Sequence, residues 1–321
     1  MSLSEFEIIQ QVFQQETIDR QDILLGIGDD AAVVKAPNGS ELAITTDTMI
    51  AGVHFPIDMK PCDIGYRALA VNLSDLAAMG AEPAWITLAL TIPESNQTWL
   101  KAFASGLFGL ANNYNIQLIG GDTTRGSLSI TIQAFGFIPD GEGLKRSGAN
   151  VGDLVYVTGT LGDAAAGLKF WSEDSQNSKW LKQRLARPTP RVEAGLFLRN
   201  IASSAIDISD GFVADLTHIL SASGVGAQII VDQVPLSLAL CAELEMELEK
   251  AVNIGSEMAL SGGDDYELCF TVPADKIDLL KDLRSICQIV KVGSIVSEPS
   301  LQCISKDGSL YNIESAGYQH F

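Results

Sequence analysis

Two mixed α/β domains are what the sequence predicts for this chain, and three observations predict them. The chain has 321 residues, more than one hydrophobic core usually serves. Strand-like and helix-like apolar patterns alternate in both halves. A Gly-rich polar stretch, DGEGLKRSGANVGD (140–153), separates the halves, so the expected domains are residues 1–149 and 150–321. The hydrophobic fraction of 46% fits a folded protein, although 21 Lys and Arg against 40 Asp and Glu leave a net charge of −19. That charge argues against nucleic acid and anionic membrane as partners, which need clustered cations.

In chain order, Ser4 and Glu7 read as a capping box that opens an amphipathic helix to about Gln14. Strands are expected at 23–27 (ILLGI), 41–46, 85–92, 116–120 and 129–138, with helices at 63–79 and 97–114. In the second half, 154–159 (LVYVTG) reads as a strand, GDAAAGLKFW as a helix start, and 191–202 as a helix after Pro188 and Pro190. SAIDIS, ADLTHILSASG, AQIIVD, ELCFTV and QIVKVGSIV continue the alternation, while SEDSQNSKWLK (172–182) reads as a polar insertion. Five scattered cysteines without a C-x-x-C pair, and an opening MSLSEFEIIQ without an apolar signal core, lead to the expectation of a reduced, cytoplasmic protein.

The chemistry lies in where the aspartates fall. Five apolar stretches run into short acidic turns: GIGDDAA (26–32), TTDT (45–48), GGDTT (120–124), DISDG (207–211) and GGDDYE (262–267). Asp75 is a sixth case, within AVNLSDLAAMGA, a segment apolar almost all round at helical spacing. A buried carboxylate needs a partner, and few Lys or Arg lie nearby. Any one such turn is ordinary turn or cap chemistry. Six together, oxygen-rich and lacking Cys or His, point to Mg²⁺ or Mn²⁺ and a polyphosphate. Carboxylates gathered without metal should repel one another and show raised pKa values. No Gly-Lys dipeptide occurs, so a P-loop is excluded, and Gly26-Ile-Gly28-Asp-Asp-Ala31 leads into strand-like AAVVKAP, not into the helix a dinucleotide fingerprint requires.

These motifs, with ALAVNLSDLAAMGAEPAW, RSGANVGD, YVTGTLGDAAAGL, LSGGDDYELCFTV and the closing GYQHF, resemble in order the thiamine-monophosphate kinase family. The resemblance spans nearly the whole chain. It implies membership of the superfamily of aminoimidazole-ribonucleotide synthetase, and a dimer whose N-terminal domains supply strands to a shared β-barrel. It also implies direct in-line transfer of the ATP γ-phosphoryl group to thiamine phosphate with several Mg²⁺ ions and no covalent intermediate. Positioning and charge neutralisation can carry that reaction, because the acceptor phosphate is already ionised.

Carried over by position, the resemblance implies metal ligands at Asp30, Thr45, Thr46, Asp47, Asp75 and Asp122, completed by Asp207 and Asp210 from the C-terminal domain. It implies ATP contacts at Gly121, Asp122, Arg146, Ser209 (hydroxyl or amide) and Tyr114, the last by stacking on adenine. His54, Asp264 and Tyr318 fall at positions near thiamine phosphate, although the family usually has GGED where this chain has Gly-Gly-Asp264-Asp265. A different ATP-dependent enzyme of the same superfamily, and a non-catalytic nucleotide-binding protein, stay open as alternatives from the residues alone.

Overall fold

The computed structural model describes residues 4–14, 20–244, 251–313 and 317–318. The chain divides into two compact units: Met1–Leu76 with Ala81–Gly141, and Ala77–Gly80 with Glu142–Phe321. No helix among the described residues is long and apolar enough to cross a membrane.

In the first unit the capping box forms: Glu7 Oε2 accepts the Ser4 N–H at 2.8 Å, and Ser4 Oγ accepts the Glu7 N–H at 3.4 Å. Helix α1 (Glu5–Ile8) is short, and the chain continues as a π-helical turn over Ile9–Phe13. Strands β1 (Ile23–Leu25) and β2 (Val33–Val34) pair antiparallel. The main sheet holds β3 (Ser40–Ile50), β4 (Glu82–Ile92), β5 (Gln117–Arg125) and β6 (Ser129–Pro139) in the order β3-β6-β4-β5. Helix α2 (Pro61–Ala78) leads into β4, and helix α3 (Gln97–Asn113) links β4 to β5, which run parallel as such a crossover requires. The sheet is open within the chain.

As its composition predicts, α2 is buried on nearly every side: Leu69, Ala70, Asn72, Leu73, Ser74 and Ala77 are inaccessible. It meets α3 backbone to backbone, since a Cβ on Gly65 would lie 2.1 Å from Phe103 O and one on Gly106 1.8 Å from Cys62 O. Across the sheet, Trp85 packs edge-on to Phe137 with ring centroids 5.0 Å apart, and Ile23 and Val34 cover that cluster.

In the second unit, β7 (Leu154–Thr158) is followed by α4 (Asp163–Lys169), α5 (Gln176–Ala186) and α6 (Val192–Leu198). Then come β8 (Ser204–Asp207), α7 (Phe212–Ser223), β9 (Gly226–Ile230), α8 (Leu238–Leu244) and α9 (Ala251–Ser261). Strand β10 (Leu268–Val272), helix α10 (Leu283–Ile286) and strands β11 (Ile289–Val296) and β12 (Leu301–Ile304) complete it. The sheet order is β12-β9-β11-β7-β10-β8, antiparallel except for β12 beside β9. Phe212, Leu216 and Ile219 recur along one face of α7 and join Val155, Val157 and Ile206 in the core.

For residues 172–182 the sequence reading goes no further than a polar insertion. The polar stretch 172–182 carries most of a regular helix, α5, because Ser175 Oγ caps it by accepting the Ser178 N–H at 2.9 Å and Leu181 and Leu185 bury its inner face.

Candidate active site

On β3, alternate residues face opposite sides. Thr45 and Asp47 turn toward α2, where the Thr45 hydroxyl donates a short hydrogen bond to Asp75 Oδ2. Burial, and after it the charge of Asp75, push the Asp47 carboxyl up to about 7. Asp75 thus meets the Thr45 hydroxyl and a second carboxyl, Asp47, with which it shares a hydrogen bond. Thr46 faces the other way and accepts a hydrogen bond from Gln133 Nε2 at 3.2 Å, so its side chain does not join this pair. Just beyond β3, His54 Nδ1 accepts the Ile50 N–H at 3.0 Å, which assigns the ring proton to Nε2 in the neutral form.

Asp30, Gly121 and Asp122 come together in a cleft of ≈ 630 Å³ in the same unit. Residues 28–30 and 120–122 give it a polar lining, and Ile9, Phe13 and Leu118 an apolar one. A Cβ on Gly121 would lie 1.9 Å from Leu88 O, so only glycine lets β5 lie this close to β4 here. Tyr114 caps the end of α3 and is not among the residues lining this cleft. The Phe13 wall was invisible in the sequence, where residues 4–14 read as an ordinary amphipathic helix.

In the second unit, three separated segments are stitched by backbone hydrogen bonds. The Asp264 N–H reaches Ser209 O at 2.8 Å, the Tyr266 N–H reaches Ile208 O at 2.8 Å, and the Tyr318 N–H reaches Asp210 O at 2.9 Å. Five candidate residues thus meet at one locus: Asp207, Ser209, Asp210, Asp264 and Tyr318. Asp264 and Tyr266 both hold positive φ (72° and 50°), an unfavourable conformation for side-chain-bearing residues, and the Tyr266 hydroxyl donates to Asp264 Oδ1 at 3.3 Å. Asp207 is buried at the end of β8, whereas Tyr318 is 49% exposed.

Asp215 organises this locus, and sequence reasoning missed it. Its Oδ2 accepts the N–H groups of Ser209, Asp210 and Gly211 at 3.0, 3.0 and 3.1 Å. The Ser209 amide is consequently engaged, and its hydroxyl is what it has left to offer. Burial pushes Asp215 up to about 6, against the pull of those N–H groups and helped by the charge of Asp210. The available signal was an aspartate in the first turn of a helix that follows a glycine turn. Arg146 is exposed, and its segment is anchored by Ser223 Oγ, which accepts the N–H groups of Gly148 and Ala149 at 3.1 and 3.2 Å.

Among the described residues, no three His, Cys, Asp or Glu side chains are already gathered in a form that could hold a metal ion. The donors that do approach, such as Asp47 and Asp75, are all oxygen, and their mutual repulsion is the condition a hard dication relieves.

Residues 28–138 match the profile of the AIR synthase related protein, N-terminal domain, and residues 150–306 that of the C-terminal domain. The chain is 46% identical over 329 aligned positions to thiamine-monophosphate kinase of Escherichia coli (strain K12), covering 100% of this chain and 99% of that protein. Its fold is similar to the crystal structure of thiamine-monophosphate kinase from Stenotrophomonas maltophilia K279a (TM-score 0.87, 45% identity, 97% and 99% of the two chains covered). It is also similar to the solved structure of AaThiL complexed with AMPPCP and TMP (TM-score 0.79, 30% identity, 98% and 96% covered).

Proposed function

The chain belongs to the thiamine-monophosphate kinases of the AIR synthase related family, and on that premise we propose that it moves the γ-phosphoryl group of ATP in line onto the phosphate of thiamine monophosphate. The observation that carries this reading is full-length kinase identity together with a similar fold that binds AMPPCP and TMP. Mg²⁺ ions, held in the first unit by Asp30, Thr45, Asp47, Asp75 and Asp122 and in the second by Asp207 and Asp210, would supply charge neutralisation for the triphosphate and the transferring group, with Thr46 able to contribute only its backbone. The Asp47–Asp75 repulsion supports that assignment.

The acidic and glycine end of the 630 Å³ cleft suits a polyphosphate with its cations, and the Gly121 backbone allows close approach. Arg146 and the Ser209 hydroxyl offer donors to phosphate oxygens, and Tyr114 an aromatic face to the base. His54 Nε2–H, Asp264 and Tyr318 bind the thiamine moiety, with the Tyr318 ring available to the cationic thiazolium. No side chain has to abstract a proton, because the acceptor oxygen is ionised.

A homodimer is part of the proposal. It is supported by β3, an edge strand whose Leu42, Ile44 and Ile50 are exposed. A cytoplasmic location is supported by five free cysteines. Incubating the protein with ATP, Mg²⁺ and thiamine monophosphate should yield thiamine diphosphate and ADP. Asp122→Asn should cut turnover by orders of magnitude with the fold intact, and well-folded wild-type protein that forms no diphosphate rejects the reading. Light scattering that finds only monomer at micromolar concentration rejects the dimer.

A further inference from the structure

We propose that Asp265 is a positioning residue for thiamine monophosphate: it clamps the loop that aims the Asp264 carboxylate. At 1% exposure it is out of reach of a ligand and acts through its neighbour. The inference rests on the assignment of Asp264 to the thiamine side of the site, and extends it to a residue that no contact with substrate would reveal.

The loop 262–267 is held from two segments of the second unit. Asp265 Oδ2 accepts the Gly162 N–H at 2.7 Å and Oδ1 the Ala164 N–H at 3.2 Å, which fastens it to the turn that opens α4. The residues on either side are fastened elsewhere, the Asp264 N–H to Ser209 O and the Tyr266 N–H to Ile208 O, both at 2.8 Å. Successive residues thus answer to different anchors, and the chain between them has little freedom to turn. Glycines let the segments run this close: a Cβ on Gly263 would lie 2.5 Å from Ser209 O, and one on Gly162 2.8 Å from Ala259 N.

Such a clamp is what the backbone here requires. Asp264 and Tyr266 hold φ of 72° and 50°, conformations that persist only where the surroundings over-determine them. An aspartate has one carbon between backbone and carboxyl, so its oxygens go where the Cα–Cβ bond points; a glutamate has a further torsion with which to correct an error. This chain carries Asp264 where its family usually has glutamate, so the aim of the carboxylate is set by the loop. Stability alone does not account for Asp265. Burial, and after it the charge of Asp163, push its carboxyl up to about 8, against the pull of the Gly162 and Ala164 N–H groups and of Arg184. A carboxyl raised in this way supports the fold fully only below its ordinary 3.8 and loses that support as pH climbs to about 8.

The test is steady-state kinetics of the full chain with each substrate varied in turn. Asp265→Asn keeps the shape but turns an NH₂ toward one of the two N–H groups, and Asp265→Ser keeps an oxygen of shorter reach. Both should raise the KM for thiamine monophosphate about tenfold and leave the KM for ATP and kcat within about twofold, a split that a loosened fold would not give. Asp264→Glu added to Asp265→Asn should bring the thiamine monophosphate KM back to within about threefold of the wild type, because the longer side chain re-aims itself. Asp264→Ala alone tests the parent assignment: an unchanged thiamine monophosphate KM removes Asp264 from the site and this proposal with it. If that KM rises, the proposal alone is overturned by Asp265 variants within about twofold of the wild type, or by a joint rise of both KM values with falling kcat. It is equally overturned by a Glu variant that restores nothing, or by failure of both Asp265 variants to fold, which would mark the residue as structural.

Discussion

Replacing Asp47 with Asn should make the metal-free protein more stable and the enzyme inactive, and the size of the first effect follows from the site. Asp47 titrates near 7 in the folded chain against an ordinary 3.8, because burial and Asp75 both disfavour its charge. A group with a raised folded pKa supports the fold fully below the unfolded value, and that support is lost as pH climbs through the folded one. The whole displacement corresponds to ~4 kcal/mol. Because the proton is shared with Asp75, we assign about half, ~2 kcal/mol, to Asp47. Asn carries no charge to lose, so the variant should match the wild type near pH 4 and exceed it by that amount at pH 8. Thermal melts in EDTA from pH 4 to 8.5 should show the gap opening between pH 5 and 7 and reaching about 4–8 °C. Saturating Mg²⁺ should raise the wild-type midpoint more than that of the variant. Parallel wild-type and variant curves across the range, or a variant less stable at pH 8, would refute the reasoning.

Three further outcomes follow from the packing. Gly121→Ala forces a methyl group into Leu88 O and should cost about 1–3 kcal/mol by chemical denaturation, with weakened ATP binding. Asp215→Ala removes the acceptor of three N–H groups and should cost about 1–3 kcal/mol, with loss of turnover from the displaced Ser209–Asp210 turn; unchanged kinetics would argue that the turn holds itself. Glu267→Gln takes the charge from the carboxylate that Arg184 and Arg191 share and should destabilise the second unit by about 3–5 kcal/mol, read as an earlier urea transition.

Much of the fold was legible because its signals are local. The apolar run of α2, the alternation of β3 to β6 and the Gly224 C-cap of α7 each declare themselves within a dozen residues. The α5 helix did not, because its sequence is polar and only the Ser175 cap and two buried leucines order it. Four-residue β12 is equally quiet: LQCI becomes a strand by lying beside β9. At the site, acidic turns nominated carboxylates but could not show which way they face. Thr46 reads like Thr45 in sequence, yet strand pleating sends it to Gln133 and not to Asp75. Asp215 looked like one more helix acid, since its three partners are backbone amides, which no side-chain pattern displays.

The glycine crossing between α2 and α3 has a consequence at a distance. Asp75 rides on the same rod as Gly65, ten residues and about 15 Å further along. A methyl group at the crossing would act as a wedge under a lever, and a tilt of only about 5° would swing the carboxylate by about 1.3 Å over that arm. An error of that size is enough to cost a phosphoryl-transfer site about a hundredfold in rate. The place of the Asp75 carboxylate therefore hangs on two missing side chains about three helical turns away, where an added methyl group would meet backbone oxygens at 2.1 and 1.8 Å.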